Sequence, residues 1–134
     1  MKKKPYGNIT SFLFSTAGVT AEQCSAYSAV REGDETLIKI SRFIESKGTV
    51  EIEFRTSLEI LSDLKNLILD NNLDLWDGFK PISFTKLDET GFRFEVIFDN
   101  KTRISAESYC KKPKGYNEGK DAVIKYFISQ IGQF

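Results

Sequence analysis

The sequence predicts a single α+β domain, residues 1–134, in which two helices pack on one face of a twisted antiparallel sheet of about six or seven strands. Three observations lead to this fold class. Four segments with a two-residue hydrophobic period come first, without a helix between them. A helical period then appears once in the middle of the chain and once at its C-terminal end. The connections between strands are short, whereas parallel neighbours would need crossovers of about a dozen residues or more.

The first four predicted strands occupy residues 9–15, 25–31, 37–44 and 50–55, and turn-forming residues separate the later ones. The fourth segment is the clearest, because apolar side chains alternate strictly with charged ones along it. That alternation is typical of a strand with one buried and one solvated face. We expect residues 1–8 to form a frayed N-terminus.

The first helix is predicted to follow directly. Residues 56–59 match a capping box, in which the Thr56 side chain accepts from the Glu59 N–H and the Glu59 carboxylate reaches back to the Thr56 N–H. Leucine and isoleucine then recur at three- and four-residue spacing over residues 58–68, which predicts a helix with one face in the core. The polar residues 70–72 end it.

The second half repeats the change from strands to a helix. A short strand is predicted at 82–87, followed by strands at 92–98 and 102–109. A loop rich in glycine and proline covers 111–119, and Asn117 is the predicted cap of the last helix. The apolar stripe of that helix is Val123, Ile124, Phe127, Ile128 and Ile131.

The composition excludes several classes of chemistry. The chain has no histidine, which removes Ser-His-Asp and Cys-His catalysis and zinc sites that need imidazole. Two cysteines, Cys24 and Cys110, are too few for an all-thiolate zinc site, and they are predicted to be free thiols, with a disulfide between them as the open alternative. No P-loop, nucleophile elbow or dinucleotide fingerprint occurs. We therefore predict no enzyme, no catalytic residue, no metal and no cofactor.

No membrane association is predicted. The lysines at positions 2–4 resemble the start of a signal peptide, but the apolar core that follows is only residues 12–14, well short of the usual length of about seven residues or more. No segment approaches the roughly 20 apolar residues of a transmembrane helix. The prediction is a cytoplasmic protein.

One candidate site is the segment Trp76-Asp77-Gly78-Phe79. Trp76 and Phe79 would form an apolar floor for a sugar or a base, with Asp77 as the hydrogen-bond acceptor. The competing interpretation is structural: the two aromatic side chains anchor the connection in the core, and Asp77-Gly78 forms a tight turn.

A second candidate segment mixes aromatic and cationic side chains: Tyr109, Lys111, Lys112, Lys114 and Tyr116. This pattern suits a contact with a polyanion such as single-stranded nucleic acid. The alternative is a solvated loop, or one that faces the acidic segment 57–79, because residues 111–134 carry a net charge of +3 and residues 57–79 one of −4. The equal totals of 19 basic and 19 acidic residues argue against a dedicated nucleic-acid-binding protein.

The stretch 75–79, with Gly91-Phe92, Pro113 and Tyr116-Asn117 further on, resembles a family of small uncharacterised bacterial domains. These have a W-D-G-F element, an aromatic hairpin, a Pro/Asn loop and a terminal helix. Since they are domains of unknown function, the resemblance implies an α+β fold and transfers no activity.

The predicted function is a non-enzymatic interaction domain that binds a protein partner or forms a homodimer. The absence of catalytic motifs and the 13% aromatic content lead to this choice. An edge strand, with residues 9–15 as the candidate, would offer backbone groups to such a partner. The alternative is a small-molecule or carbohydrate-binding domain that uses the Trp76–Phe79 segment. An enzyme built on carboxylates and lysines ranks behind both.

Overall fold

The predicted α+β fold is confirmed in the computed structural model, which describes residues 6–81, 91–109 and 111–131. Within these residues the sheet has six antiparallel strands, which are β1 (Ile9–Ala17), β2 (Ser25–Glu32), β3 (Glu35–Ile44), β4 (Gly48–Thr56), β5 (Gly91–Phe98) and β6 (Arg103–Ser108). The two α-helices are α1 (Glu59–Asp70) and α2 (Tyr116–Ile131), and a short 3-10 helix spans Leu73–Trp76. The predicted strand at 82–87 lies outside the described residues.

The strands follow the spatial order β4-β3-β2-β1-β5-β6. The first four strands form consecutive hairpins, and β5 then pairs with the other side of β1. The prediction that residues 9–15 form an edge strand is therefore wrong, because β1 lies between β2 and β5. Its Phe12 and Phe14 are paired with Val96 and Phe94 of β5, and all four side chains are fully buried. The two edges of the sheet are β4 and β6.

Both helices contribute to one core on a single face of the sheet. Alternate residues along the strands point to this core; in β1 these include Phe12 and Phe14, which are fully buried. The ring of Phe127 in α2 lies 5.6 Å from that of Phe12 and 5.7 Å from that of Tyr27. Leu64 of α1 is fully buried in the same cluster. Among the described residues, no helix lies on the other face of the sheet.

The start of α1 differs from the predicted capping box. Thr56 is the last residue of β4 and is still paired with Thr36 of β3, so it cannot act as the N-cap. Instead the Ser57 hydroxyl accepts from the Glu59 N–H at 3.3 Å, and the Ser57 carbonyl accepts from the Thr36 hydroxyl at 2.9 Å. Strand β4 therefore ends at Thr56, and the next residue, Ser57, supports the start of α1. The pairing of β4 with β3 outweighs the local capping pattern.

Smaller differences occur near both ends of the chain. Helix α2 begins at Tyr116, so Asn117 lies in its first turn and is not the cap. Residues 6–8 are held in place rather than frayed: the Tyr6 ring stacks on Phe98 at 4.7 Å, and the Asn8 N–H donates to Asp99 at 3.0 Å. Residues 1–5 lie outside the described part of the chain.

Candidate functional site

Trp76 is a core residue. Its side chain is 3% exposed, and its indole meets the rings of Phe94, Tyr116 and Phe92 at 5.4, 5.7 and 6.0 Å. The indole Nε1–H donates to the Lys114 carbonyl at 3.2 Å, so the polar edge is also occupied. Because a stacking platform needs an exposed ring face, Trp76 does not form the floor for a sugar or a base, and the anchoring interpretation describes it.

The next three residues of the W-D-G-F element cover the outer edge of β6. The Asp77 carboxylate accepts from the Ser105 N–H at 2.9 Å, and the Gly78 N–H donates to the Ser105 carbonyl at 2.9 Å. The Glu107 N–H donates to the Phe79 carbonyl at 3.0 Å. Gly78 has a φ of 87°, a left-handed conformation that favours glycine. The element thus satisfies an edge that would otherwise offer backbone groups to another strand.

The two segments predicted from the sequence do meet. Side chains from both surround a shallow cleft of about 450 Å³, which is lined by Asn71, Asn72, Leu75, Trp76, Phe79, Lys112, Pro113, Lys114 and Gly115. The basic loop therefore lies against the C-terminal part of the acidic segment, as one of the predicted alternatives requires. Leu75 is 75% exposed at this cleft.

The remaining predicted site residues are divided between the core and the surface. Tyr116 is buried beneath the cleft, with the ammonium groups of Lys112 and Lys120 at 5.7 and 5.9 Å from its ring centre. Burial raises the pKa of Tyr116 to about 12, and its hydroxyl has no hydrogen-bond partner among the residues that the structure describes. Tyr109 and Lys111 are exposed and do not line the cleft. Tyr116 is thus an anchor and not a ligand contact.

The face of the sheet opposite the two described helices is a second surface, which the sequence interpretation missed. We call it the open face. The strand register arranges its side chains in three rows that cross all six strands. The acid-ended row is Glu51, Ser41, Ala26, Ser15, Arg93 and Glu107. The middle row is Glu53, Lys39, Ser28, Leu13, Glu95 and Ser105. The base-ended row is Arg55, Leu37, Val30, Ser11, Ile97 and Arg103.

The centre of the open face carries small and apolar side chains where solvated sheets usually carry long polar ones. Within the three rows, β3, β2 and β1 carry a single charged residue, Lys39; Glu32 and Glu35 lie on the same face beyond the base-ended row. Val30 and Ile97 remain 36% and 39% exposed. The sequence contained this signal, since β1 and β2 alternate aromatic or apolar core residues with serine and alanine rather than with lysine and glutamate.

Apart from Lys39, the charges of the three rows lie on β4, β5 and β6. Arg55 pairs with Glu32 at 2.9 Å, and the hydrogen bond raises the pKa of Arg55. On the other side, the Glu95 carboxylate lies 3.1 Å from Arg93 and 3.9 Å from Arg103. These pairs are exposed, so each contributes little to stability. They do, however, place charges of both signs on either side of a centre in which Lys39 is the one charge of the three rows.

Residues 6–81, 91–109 and 111–131 contain no group of three or more Asp, Glu, Cys or His side chains that could hold a metal ion. Cys24 is an exposed free thiol. The described helices include none with the length and hydrophobicity needed to cross a membrane.

Comparisons with known proteins add no assignment. No protein-family model matches the chain. A search of curated proteins finds no similar sequence either. The geometry of two surfaces, the cleft and the open face, is the remaining indication of function.

Proposed function

We propose that the protein is a non-enzymatic interaction domain whose open face binds the open face of a second copy. The observation that carries this proposal is the complementarity between the acid-ended and base-ended rows. A two-fold axis over the middle row and perpendicular to the strands places each acid-ended row on the base-ended row of the other copy. Such an isologous contact requires a self-complementary surface, and this face offers complementary charges at its corners and complementary side-chain sizes on β2 and β3.

Charge is complementary at the corners of the face. The axis places β4 over β4 and β6 over β6, so Glu51 faces Arg55 of the second copy and Glu107 faces its Arg103. Each pair occurs twice. In the middle row Lys39, Glu53 and Glu95 would each meet their own counterparts. Glu53 lies directly beside Lys39 in the register, so the two are within reach of each other across the interface. Each Glu95 carries its own neighbouring cations, Arg93 and Arg103. Long arginine side chains tolerate the angle of about 30° between packed sheets.

Size is complementary at the centre. Ser41 faces Leu37 of the second copy, and Ala26 faces its Val30, so these two large apolar side chains lie over small ones. Ile97 faces Arg93 of the second copy, whose aliphatic stem it would contact. Facing sheets pack about 10 Å apart, which requires such interdigitation. Leu13 lies in the middle row and would contact its own counterpart near the axis. The result would be a small apolar centre within a polar rim.

The area is sufficient for a weak but specific dimer. Six strands about 4.8 Å apart and three rows about 6.8 Å apart give roughly 600 Å² per copy. About 1,200 Å² would then be buried in total, at the lower end for a specific interface. We therefore expect a dissociation constant in the micromolar range.

Pairing through the sheet edges is less favourable. The edge of β6 is already covered by Asp77, Gly78 and Phe79. On β4, antiparallel pairing centred on Ile52 would place Glu51 opposite Glu53 of the second copy, and like charges directly opposite each other are destabilising. The face and not an edge is therefore the proposed contact. We also place the protein in the cytoplasm, which is consistent with the free thiol of Cys24.

Sedimentation equilibrium over the micromolar range tests the proposal. The wild-type protein should shift from monomer to dimer as its concentration rises. Ala26→Arg, which places a guanidinium at the apolar centre, should remain monomeric. Ala21→Arg makes the same change at an exposed position of the 3-10 helix Ala21–Gln23 and should dimerise like the wild type. A wild-type protein that stays monomeric throughout, or equal association of the two variants, would refute the proposal.

A further inference from the structure

A cavity of about 150 Å³ lies on the helix side of the sheet, between the start of β1 and α1. Its lining residues are Asn8, Ile9, Arg31, Leu58, Leu61, Ser62 and Lys65. Two of them are cations and none is an acid. The four residues from α1 and its approach lie at i, i+3, i+4 and i+7, so they share one face of the helix.

The two cations are held at this cavity by backbone carbonyls. The Lys65 ammonium donates to the Tyr6 carbonyl at 2.9 Å, and the Arg31 Nε–H donates to the Gly33 carbonyl at 2.9 Å. Among the described residues, neither cation forms an ion pair, and the Arg31 terminal nitrogens donate to no acceptor. The two terminal nitrogens of Arg31 therefore remain at the cavity as donors, and a guanidinium can bind a carboxylate through two parallel hydrogen bonds. Arg55, by contrast, is paired with a glutamate.

The opposite side of the cavity is apolar. Ile9 and Leu61 are 2% and 4% exposed, and Leu58 packs against the same core. Ser62 and Asn8 add a hydroxyl and an amide to the polar side. A ligand that satisfies both sides must carry a negative charge at one end and a short hydrocarbon group at the other.

We propose that the cavity binds a small aliphatic carboxylate, whose carboxylate contacts Arg31 and Lys65 and whose alkyl chain lies on Ile9, Leu58 and Leu61. A cavity of about 150 Å³ holds a molecule with about six non-hydrogen atoms, the size of benzene. Butyrate has that number. Inorganic phosphate fits less well, because its charge covers all sides of the ion and would face the apolar floor.

Titration of the protein with sodium butyrate, followed by NMR chemical shifts at constant ionic strength, tests this site. We expect saturable binding, with shifts concentrated at residues 8–9 and 58–65. Arg31→Gln should weaken binding about tenfold or more, since it removes a charge-assisted contact. Lys47→Gln removes a cation from the exposed β3–β4 turn and should leave the affinity unchanged. Absence of saturation, or an equal effect of the two substitutions, would overturn the proposal.

A second variant separates the cavity from its charges. Ser62→Leu changes an exposed helix position, fills the cavity and retains both cations, so it should abolish butyrate binding without unfolding the protein. If Ser62→Leu binds butyrate as the wild type does, the ligand lies elsewhere and the assignment is wrong. Butylamine, with the same chain and the opposite charge, should not bind. Because the cavity and the open face lie on opposite sides of the sheet, Ala26→Arg should still bind butyrate.

Discussion

Replacement of Trp76 by phenylalanine should destabilise the fold substantially while leaving the backbone intact. The substitution removes the hydrogen bond from Nε1 to the Lys114 carbonyl, which is 3.2 Å long and partly buried. A bond of this kind contributes about 1 kcal/mol. The smaller ring also leaves a gap beside Phe94 and Tyr116, at a further cost of about 1–2 kcal/mol. We expect a total loss of about 2–3 kcal/mol in the free energy of unfolding.

Urea unfolding followed by far-UV circular dichroism measures this loss, since Trp76 is the only tryptophan and its fluorescence disappears with the substitution. Leu75→Ala is the control. Its side chain is 75% exposed, so its removal should change stability by less than about 0.5 kcal/mol. The wild-type tryptophan emission should also be blue-shifted and resist acrylamide quenching. A loss below about 1 kcal/mol for Trp76→Phe would refute the packing argument.

Three further predictions follow from single contacts. Burial raises the pKa of Tyr116 to about 12, so between pH 10 and pH 12 its hydroxyl stays protonated in the folded protein but is ionised in the unfolded chain. The contribution of Tyr116 to the free energy of unfolding is therefore complete below pH 10 and falls by about 1.4 kcal/mol per pH unit up to pH 12. Urea unfolding should show that Tyr116→Phe removes this part of the alkaline slope, and an unchanged slope would contradict the prediction. Gly119→Ala should cost about 1 kcal/mol despite the better helix propensity of alanine, since the new Cβ would lie 2.5 Å from Leu73 Cδ2 and under 3 Å from the Trp76 ring; higher stability in urea would count against this. Glu51→Arg should weaken dimerisation in sedimentation equilibrium and Glu51→Arg with Arg55→Glu should restore it, whereas equal weakening in both would argue against the proposed axis.

Much of the fold is predictable because its signals are local. The alternation in β4 and the three- to four-residue spacing in α1 each arise within a few consecutive residues and predict the element type directly. Boundaries were less predictable: the capping pattern at residues 56–59 is a valid local signal, yet Thr56 stays in the sheet because it pairs with Thr36. That pairing joins residues twenty positions apart and leaves no mark on the local pattern.

The candidate site was predictable only in part. The sequence singles out residues 76–79 and 109–116, and the structure does bring Trp76 and Phe79 beside Lys112 and Lys114. The sequence could not show that Trp76 is buried, because an indole with a polar edge occurs both in cores and at binding surfaces. Nor could the sequence show that Asp77 and Gly78 cover the edge of β6. That contact forms because β6 is the last strand of the described sheet and its outer backbone groups pair with no further strand there.

The sequence by itself determined the fold class, the types of the six described strands and the two α-helices, and the chemistries that need histidine and are therefore excluded. Those conclusions depend on composition and on periodicities that act over a few residues. Only the tertiary structure decided that β1 lies at the centre of the sheet, through its pairing with β5 about eighty residues away. That pairing aligns the three rows of the open face, whereas the pairing of β1 with β2 and the packing of α1 against β1 bring Arg31 and Lys65 to one cavity. Both arrangements depend on which distant strands share hydrogen bonds, and the burial of one common core selects that order.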